Sequence, residues 1–221
     1  MNPEIIRLIS LLFDPLDNHL ALLIGSLVLS ILASIPLALL SLYNRKIAVI
    51  IITFANFVQA IPSFAIVALV VPLLGIGFTP AIFAIFLRSL LPIIKNTYIG
   101  LKEVDSSLIE FAQGIGLTSW QILLYIRLPN AYPAIFAGIK FAAILANSIA
   151  ILTAIIGSGG YGEIVFSGLS QYNINRLLIG VIPVILIAIF IEFFFSYLEK
   201  KVTPPPLQQE NTIKSLQQMS S

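Results

Sequence analysis

The chain has 221 residues, 58% of them hydrophobic and only 10% charged, with a formal net charge of +2. A soluble domain carries roughly a quarter charged residues, yet here charge is absent throughout 20–44, 47–87 and 141–162. Uncharged runs of that length leave no polar coat, which excludes a soluble globular or a disordered chain and points to an integral membrane protein.

The small net charge gives no footing for nucleic acid. With no cysteine there is no disulfide framework, thiol nucleophile, iron–sulfur cluster or Cys-based zinc site, and the lone His19 excludes a His-rich metal site. Standing just ahead of an apolar run, His19 reads as an ordinary interfacial residue.

In chain order, 1–19 is expected to be an external N-terminal segment. It carries Glu4, Asp14 and Asp17 in place of a basic leader, so it does not read as a cleavable signal. Within it, 3–13 is too short and too charged to cross a bilayer and reads as an amphipathic surface helix. A spanning helix needs about 20 mostly apolar residues, and five segments qualify, roughly 20–43, 47–74, 80–101, 132–157 and 177–198. The fold class is therefore all-α, a polytopic membrane protein, with its membrane domain over 20–202. Pro62 and Pro72 predict a kink or a break in the second segment. The stretch Gly75-Ile76-Gly77-Phe78-Thr79-Pro80 reads as a tight loop with Pro80 near the start of the third. The run Gly157 to Gly162 reads as a turn closing the fourth, without the lysine of a phosphate loop. The Pro- and Gln/Ser-rich tail, 203–221, reads as disordered.

The middle loop, 103–130, has a pattern of its own. Ser107-x-x-Glu110 is a capping-box signature, and Leu108, Phe111, Ala112 and Ile115 fall on one apolar face. Gly116 supplies a turn. Thr118-x-x-Gln121 repeats the capping box and opens a second short helix to about Arg127, with Pro129 and Pro133 punctuating the exit. Lysine and arginine set the orientation. An external N-terminus puts Arg45, Lys46, Lys102, Arg127, Lys200, Lys201 and Lys214 inside against Arg7 and Arg176 outside, so the C-terminus is cytoplasmic and the protein multi-pass in the cell membrane.

Glu110-x-Ala112-x3-Gly116-x9-Ile126-x-Leu128-Pro129 resembles the cytoplasmic signature of ABC importer permeases, departing from it at Phe111, where alanine is common. The resemblance implies a type I importer fold and a coupling role for Glu110, Phe111, Ala112, Ile115, Gly116, Ile126, Leu128 and Pro129. It also implies, as partners, two copies of an ATPase subunit that binds ATP-Mg, a second permease, and an extracytoplasmic substrate-binding protein. The sequence lacks a G-x-x-x-x-G-K-[ST] phosphate loop, so no cofactor is assigned to this chain and the subunit is expected to be non-catalytic. Three further stretches, Phe57 to Ser63 followed by Val71 to Gly77, Leu91 to Gly100 and Ile156 to Glu163, resemble the osmoprotectant branch, whose solutes are glycine betaine, carnitine, choline and proline betaine.

On that resemblance the path candidates are Gln59, Pro62, Ser63, Arg88, Asn147, Ser148 and Thr153, each with a structural alternative. Gln59 and Ser63 either line a cavity at the Pro62 break or re-satisfy its backbone. Asn147, Ser148 and Thr153 either face the solute or pack helices. Arg88 either meets a betaine carboxylate or is tied to Glu192 or to backbone carbonyls. Gly157, Gly159 and Gly160 form the external turn, facing the binding protein. The rival readings are a permease for methionine or another amino acid, an intramembrane protease, for which one histidine and no cysteine leave almost no catalytic groups, and a channel working without an ATPase.

Overall fold

The computed structural model describes residues 3–203, with side chains from Ser10 onward. The tail from 204 to 221 lies outside the described residues, as does Lys214. Nine α-helices fill the described region: α1 Pro3–Tyr43, α2 Arg45–Ala60, α3 Ser63–Leu74, α4 Phe78–Lys102, α5 Ser106–Gly114, α6 Ser119–Ile122, α7 Leu128–Thr153, α8 Tyr161–Ser170 and α9 Ile174–Val202. Four stretches among the described residues are long and apolar enough to cross a membrane singly, and α2 with α3, bent by 101°, have the length and composition of a fifth, as a broken span or a re-entrant loop.

Several boundaries correct the sequence reading. The segment 3–13 is not a separate surface helix, because the first helix runs unbroken for 41 residues through Pro15 and Pro36. At ~1.5 Å per residue that is about 60 Å, twice the hydrocarbon thickness, so one end stands outside it. The prolines at 129 and 133 do not punctuate the exit of the middle loop. They sit within α7, and α6 passes into it through a π-helical turn, Leu123–Arg127. Proline removes an N–H from the α-ladder. The wider turn absorbs the mismatch with a bond from Leu128 N–H to Leu123 O, while Asn130 Nδ2 donates to Ile126 O at 2.7 Å. The result is one helical run from 119 to 156. A helix over Tyr161–Ser170 also stands where only a turn was read.

The core is the packing of α4 on α7, with α1 laid along α4. Close approach depends on residues that lack bulk. A Cβ on Gly138 would meet Asn96 Cβ and Pro92 O at 2.9 Å, and one on Gly100 would meet Ala134 Cβ at 2.5 Å. In hydrocarbon there is no hydrophobic drive between helices, so backbone proximity and hydrogen bonds carry the association. Ser26, Ser30 and Ser34 are fully buried on α1; Ser30 Oγ donates to Ser26 O, and Ser34 Oγ reaches Leu90 O on α4 at 3.3 Å.

Gly138→Val puts branched carbons where even a methyl has no space. It should destabilise the bundle by about 1–3 kcal/mol, read as a lower unfolding midpoint in detergent. An unchanged midpoint would mean α4 and α7 are not packed as described.

Candidate functional site

The middle loop builds one exposed patch. Asp105, not Ser107, caps α5: its carboxylate accepts from Ser107 N–H at 2.8 Å, so Ser107 is already inside the helix and the expected Ser107/Glu110 box is not formed. That hydrogen bond holds the Asp105 carboxyl below its ordinary range. At the other end Gly116, at φ +86°, closes the helix: Leu117 N–H bonds Ala112 O at 3.0 Å and Gly116 N–H bonds Gln113 O at 2.9 Å, a Schellman arrangement. The second box does form, with Thr118 N–H to Gln121 Oε1 at 2.8 Å and Gln121 N–H to Thr118 Oγ1 at 3.3 Å.

Of the predicted apolar face, only Ala112 is taken into the protein, at 1% exposure. Phe111 is 69% exposed, Ile115 63% and Trp120 59%, with Leu108 and Glu110 also exposed. Ile126, Leu128 and Pro129 are half-buried where the loop enters α7. Arg127 Nη1 donates to Leu101 O at 2.8 Å, fastening that entry to the end of α4. The loop therefore displays several large, exposed apolar side chains on a short, well-capped scaffold, and exposed apolar patches mark interaction surfaces.

At the broken span Pro62 lacks an N–H, and α2 ends at Ala60. The freed carbonyls are claimed by Arg88 of α4, whose Nη1 donates to Gln59 O at 2.7 Å and Ile61 O at 2.9 Å. Arg88 is thus tied to backbone carbonyls, and Glu192 instead pairs with Lys140 at 2.9 Å. Gln59, Ser63 and Arg88 are half-buried and Pro62 is exposed. Arg88 Nε and Gln59 Oε1 are buried with no protein partner among the described residues.

The far end of the bundle is fastened by a polar cluster. Asn147 Nδ2 donates to Val184 O of α9 at 3.0 Å, which turns its Oδ1 toward His19 Nε2 of α1, also at 3.0 Å, and so places the imidazole proton on Nε2. His19 is fully buried within the protein, with its ring edge-on to Tyr161 at 5.3 Å. Tyr161 Oη donates to Leu12 O at 2.6 Å. Thr153 accepts from Ser158 Oγ at 2.9 Å, and Asn18 Nδ2 holds Ser158 O at 3.0 Å. Asn147 and Thr153 are buried in these bonds, whereas Ser148 is exposed and bonded back to Ile144 O. Gly157, Gly159 and Gly160 all have φ near +80° and line a shallow cleft with Asp14, Asn18 and Glu163. A Cβ on Gly159 would collide with the Asn18 amide. Sequence reading missed His19, Asn18, Tyr161 and Lys140 as structural or candidate residues. Lys140 and Glu192 were visible as the rare charges inside apolar runs.

The family described as "Binding-protein-dependent transport system inner membrane component" matches residues 23–204. The glycine betaine/carnitine/choline transport system permease protein OpuCB of Bacillus subtilis (strain 168) is 41% identical over 191 residues, covering 86% of this chain and 88% of that protein. The carnitine transport permease protein OpuCB of Listeria monocytogenes is 38% identical over 192 residues, covering 87% and 88%. The choline transport system permease protein OpuBB of Bacillus subtilis is 38% identical, with the same coverage. Among solved structures, the MetNI methionine ABC transporter in an inward-facing conformation gives a TM-score of 0.79 at 20% identity, covering 92% of this chain and all of that one. At that identity the likeness carries the fold alone.

Asn147→Ala removes one partner from two buried groups at once, His19 Nε2 and Val184 O. Val184 O keeps its place in the α9 ladder, but His19 Nε2 is orphaned at a cost of about 1–3 kcal/mol, so the variant should unfold before the parent in a detergent melt. Adding His19→Leu should cost less than the sum of the two single changes. Additive costs would dissolve the proposed coupling between α1, α7 and α9.

Proposed function

The chain belongs to the family of binding-protein-dependent transport system inner membrane components, and on that premise we propose that it is the permease of an ATP-driven importer for quaternary-amine osmoprotectants. The observation that carries this reading is the likeness, at 38–41% identity over nearly the whole chain, to permeases named for carnitine, choline and glycine betaine. The likeness to the methionine transporter structures, at 20% identity, gives no support for methionine as the solute.

The middle loop supplies the coupling. Phe111, Ile115 and Trp120 enter a groove on a separate ATPase subunit, with polar neighbours such as Glu110 at the rim, the arrangement of an anchor and its border. Because α6 continues through the π turn into α7, a displacement of the loop moves α7 as a rod along its length. A second permease and two ATPase subunits complete the transporter. ATP-driven closure of the ATPases draws the two loops together and opens the path to a docked binding protein, and hydrolysis resets it. ATP-Mg is held by the ATPase. The distribution of Lys and Arg supports an external N-terminus and a cytoplasmic C-terminus. The path runs beside the Pro62 break, where Gln59, Ser63 and Arg88 gather, and along the exposed Ser148 face of α7.

Gly116 occupies a backbone conformation closed to proline, whose φ is fixed near −65°. Gly116→Pro and Glu110→Lys should both leave the protein inserted in the membrane. Both should cut osmoprotectant uptake by roughly tenfold or more and release the ATPase during co-purification. Unchanged uptake together with unchanged co-purification in both variants would remove the loop from the coupling role.

A further inference from the structure

The broken span, the loop patch and the polar cluster leave a charged pair between α7 and α9 unused. On the flank where α7 meets α9, Lys140 Nζ donates to Glu192 Oε1 at 2.9 Å and to Ser196 Oγ at 3.2 Å, and Ser196 Oγ donates to the same Oε1 at 3.3 Å. Among the described residues this leaves Glu192 Oε2 without a partner. The Lys140 side chain is 23% exposed and that of Glu192 50%.

Depth makes this exposure informative. Glu192 lies about 12 Å along α9 from Lys200, at ~1.5 Å per residue, while half of the hydrocarbon layer is about 15 Å. Were the basic end of α9 at the membrane surface, the pair would stand inside the apolar layer. A half-exposed carboxylate there does not face lipid, so water or protein borders this flank. Beside Lys140, the exposed residues Phe141, Ser148 and Ile155 recur every seven positions and run up α7 to the turn at Gly157.

We propose that Lys140 and Glu192 form a transit site for solute charge: a zwitterion opens the pair, its carboxylate taking the place of Glu192 on Lys140 and its ammonium taking the place of Lys140 on Glu192. The exchange swaps one ion pair for two, so a bound zwitterion leaves neither protein charge unpaired, which suits a site that must release what it binds. A purely cationic solute uses Glu192 alone. This inference rests on the osmoprotectant reading above.

Two measurements on the assembled transporter test it. In the first, uptake of glycine betaine and of choline is followed side by side for the parent, Lys140→Gln, Glu192→Gln and the exchanged pair Lys140→Glu/Glu192→Lys. Lys140→Gln should reduce glycine betaine uptake at least tenfold more than choline uptake, and Glu192→Gln should reduce both. Equal losses for the two solutes in Lys140→Gln, with full recovery in the exchanged pair, would make the pair a structural tie only. A parent that imports neither solute would instead overturn the osmoprotectant reading, and the inference with it. The second measurement does not depend on how those variants fold. The chain has no cysteine, so Ser196→Cys introduces a single thiol. It should react with a water-soluble cationic thiol reagent, and millimolar glycine betaine should slow that reaction. A thiol that stays unlabelled, or that only crosslinks to a second copy of the chain, would place the pair in a dry contact and overturn the proposal.

Discussion

Inside a bilayer no water is at hand to take a hydrogen bond, so every peptide group freed from a helix has to be met by the protein itself. The rest of this structure follows from how that requirement is satisfied at its proline positions. At Pro62 the helix stops, and a side chain from another helix, Arg88, bonds the stranded carbonyls of Gln59 and Ile61. At Pro129, where the middle loop enters α7, the helix continues through a π turn, with Leu128 N–H on Leu123 O and the Asn130 amide on Ile126 O. One device makes a hinge-like corner fastened to α4, and the other keeps a rod intact.

That rod joins the two ends of the molecule. At one end it begins in the capped turn that displays Phe111, Ile115 and Trp120, and the Arg127 contact with Leu101 O holds its base to α4. At the other it carries Asn147 and Thr153, whose bonds gather α1, α9 and the glycine turn into one polar cluster. A push on the loop therefore has a mechanical route to the far surface, and that route passes the Lys140–Glu192 flank on its way. A proline-broken helix in place of α7 would have no such continuity.

Much of this was legible in the sequence, and the parts that were not share a cause. Uncharged runs, the break at Pro62, the turn at Gly116 and the Thr118–Gln121 cap are local signals, each decided within a few residues. Asp105 displaced Ser107 as the α5 cap because two capping residues compete there, and the helix starts at Ser106, just after the buried Val104. Pro129 and Pro133 were misread because proline usually marks a helix end, whereas here a π turn carries the helix into α7 past both. The helix at Tyr161–Ser170 escaped notice because it is short and glycine-bearing; its form makes sense only against α9, where Gly168 meets the backbone of Leu177. His19 gave no hint of burial, since its partner Asn147 lies 128 residues away.

The central claim is that this chain moves osmoprotectant only when an ATPase drives its middle loop. Purified permease, its ATPase and its binding protein, reconstituted together in liposomes, allow a direct measurement of radiolabelled glycine betaine accumulation with ATP on the ATPase side. The account predicts accumulation above the outside concentration that stops when ATP or the ATPase is left out. Uptake that proceeds equally without either would mark an autonomous channel and contradict it.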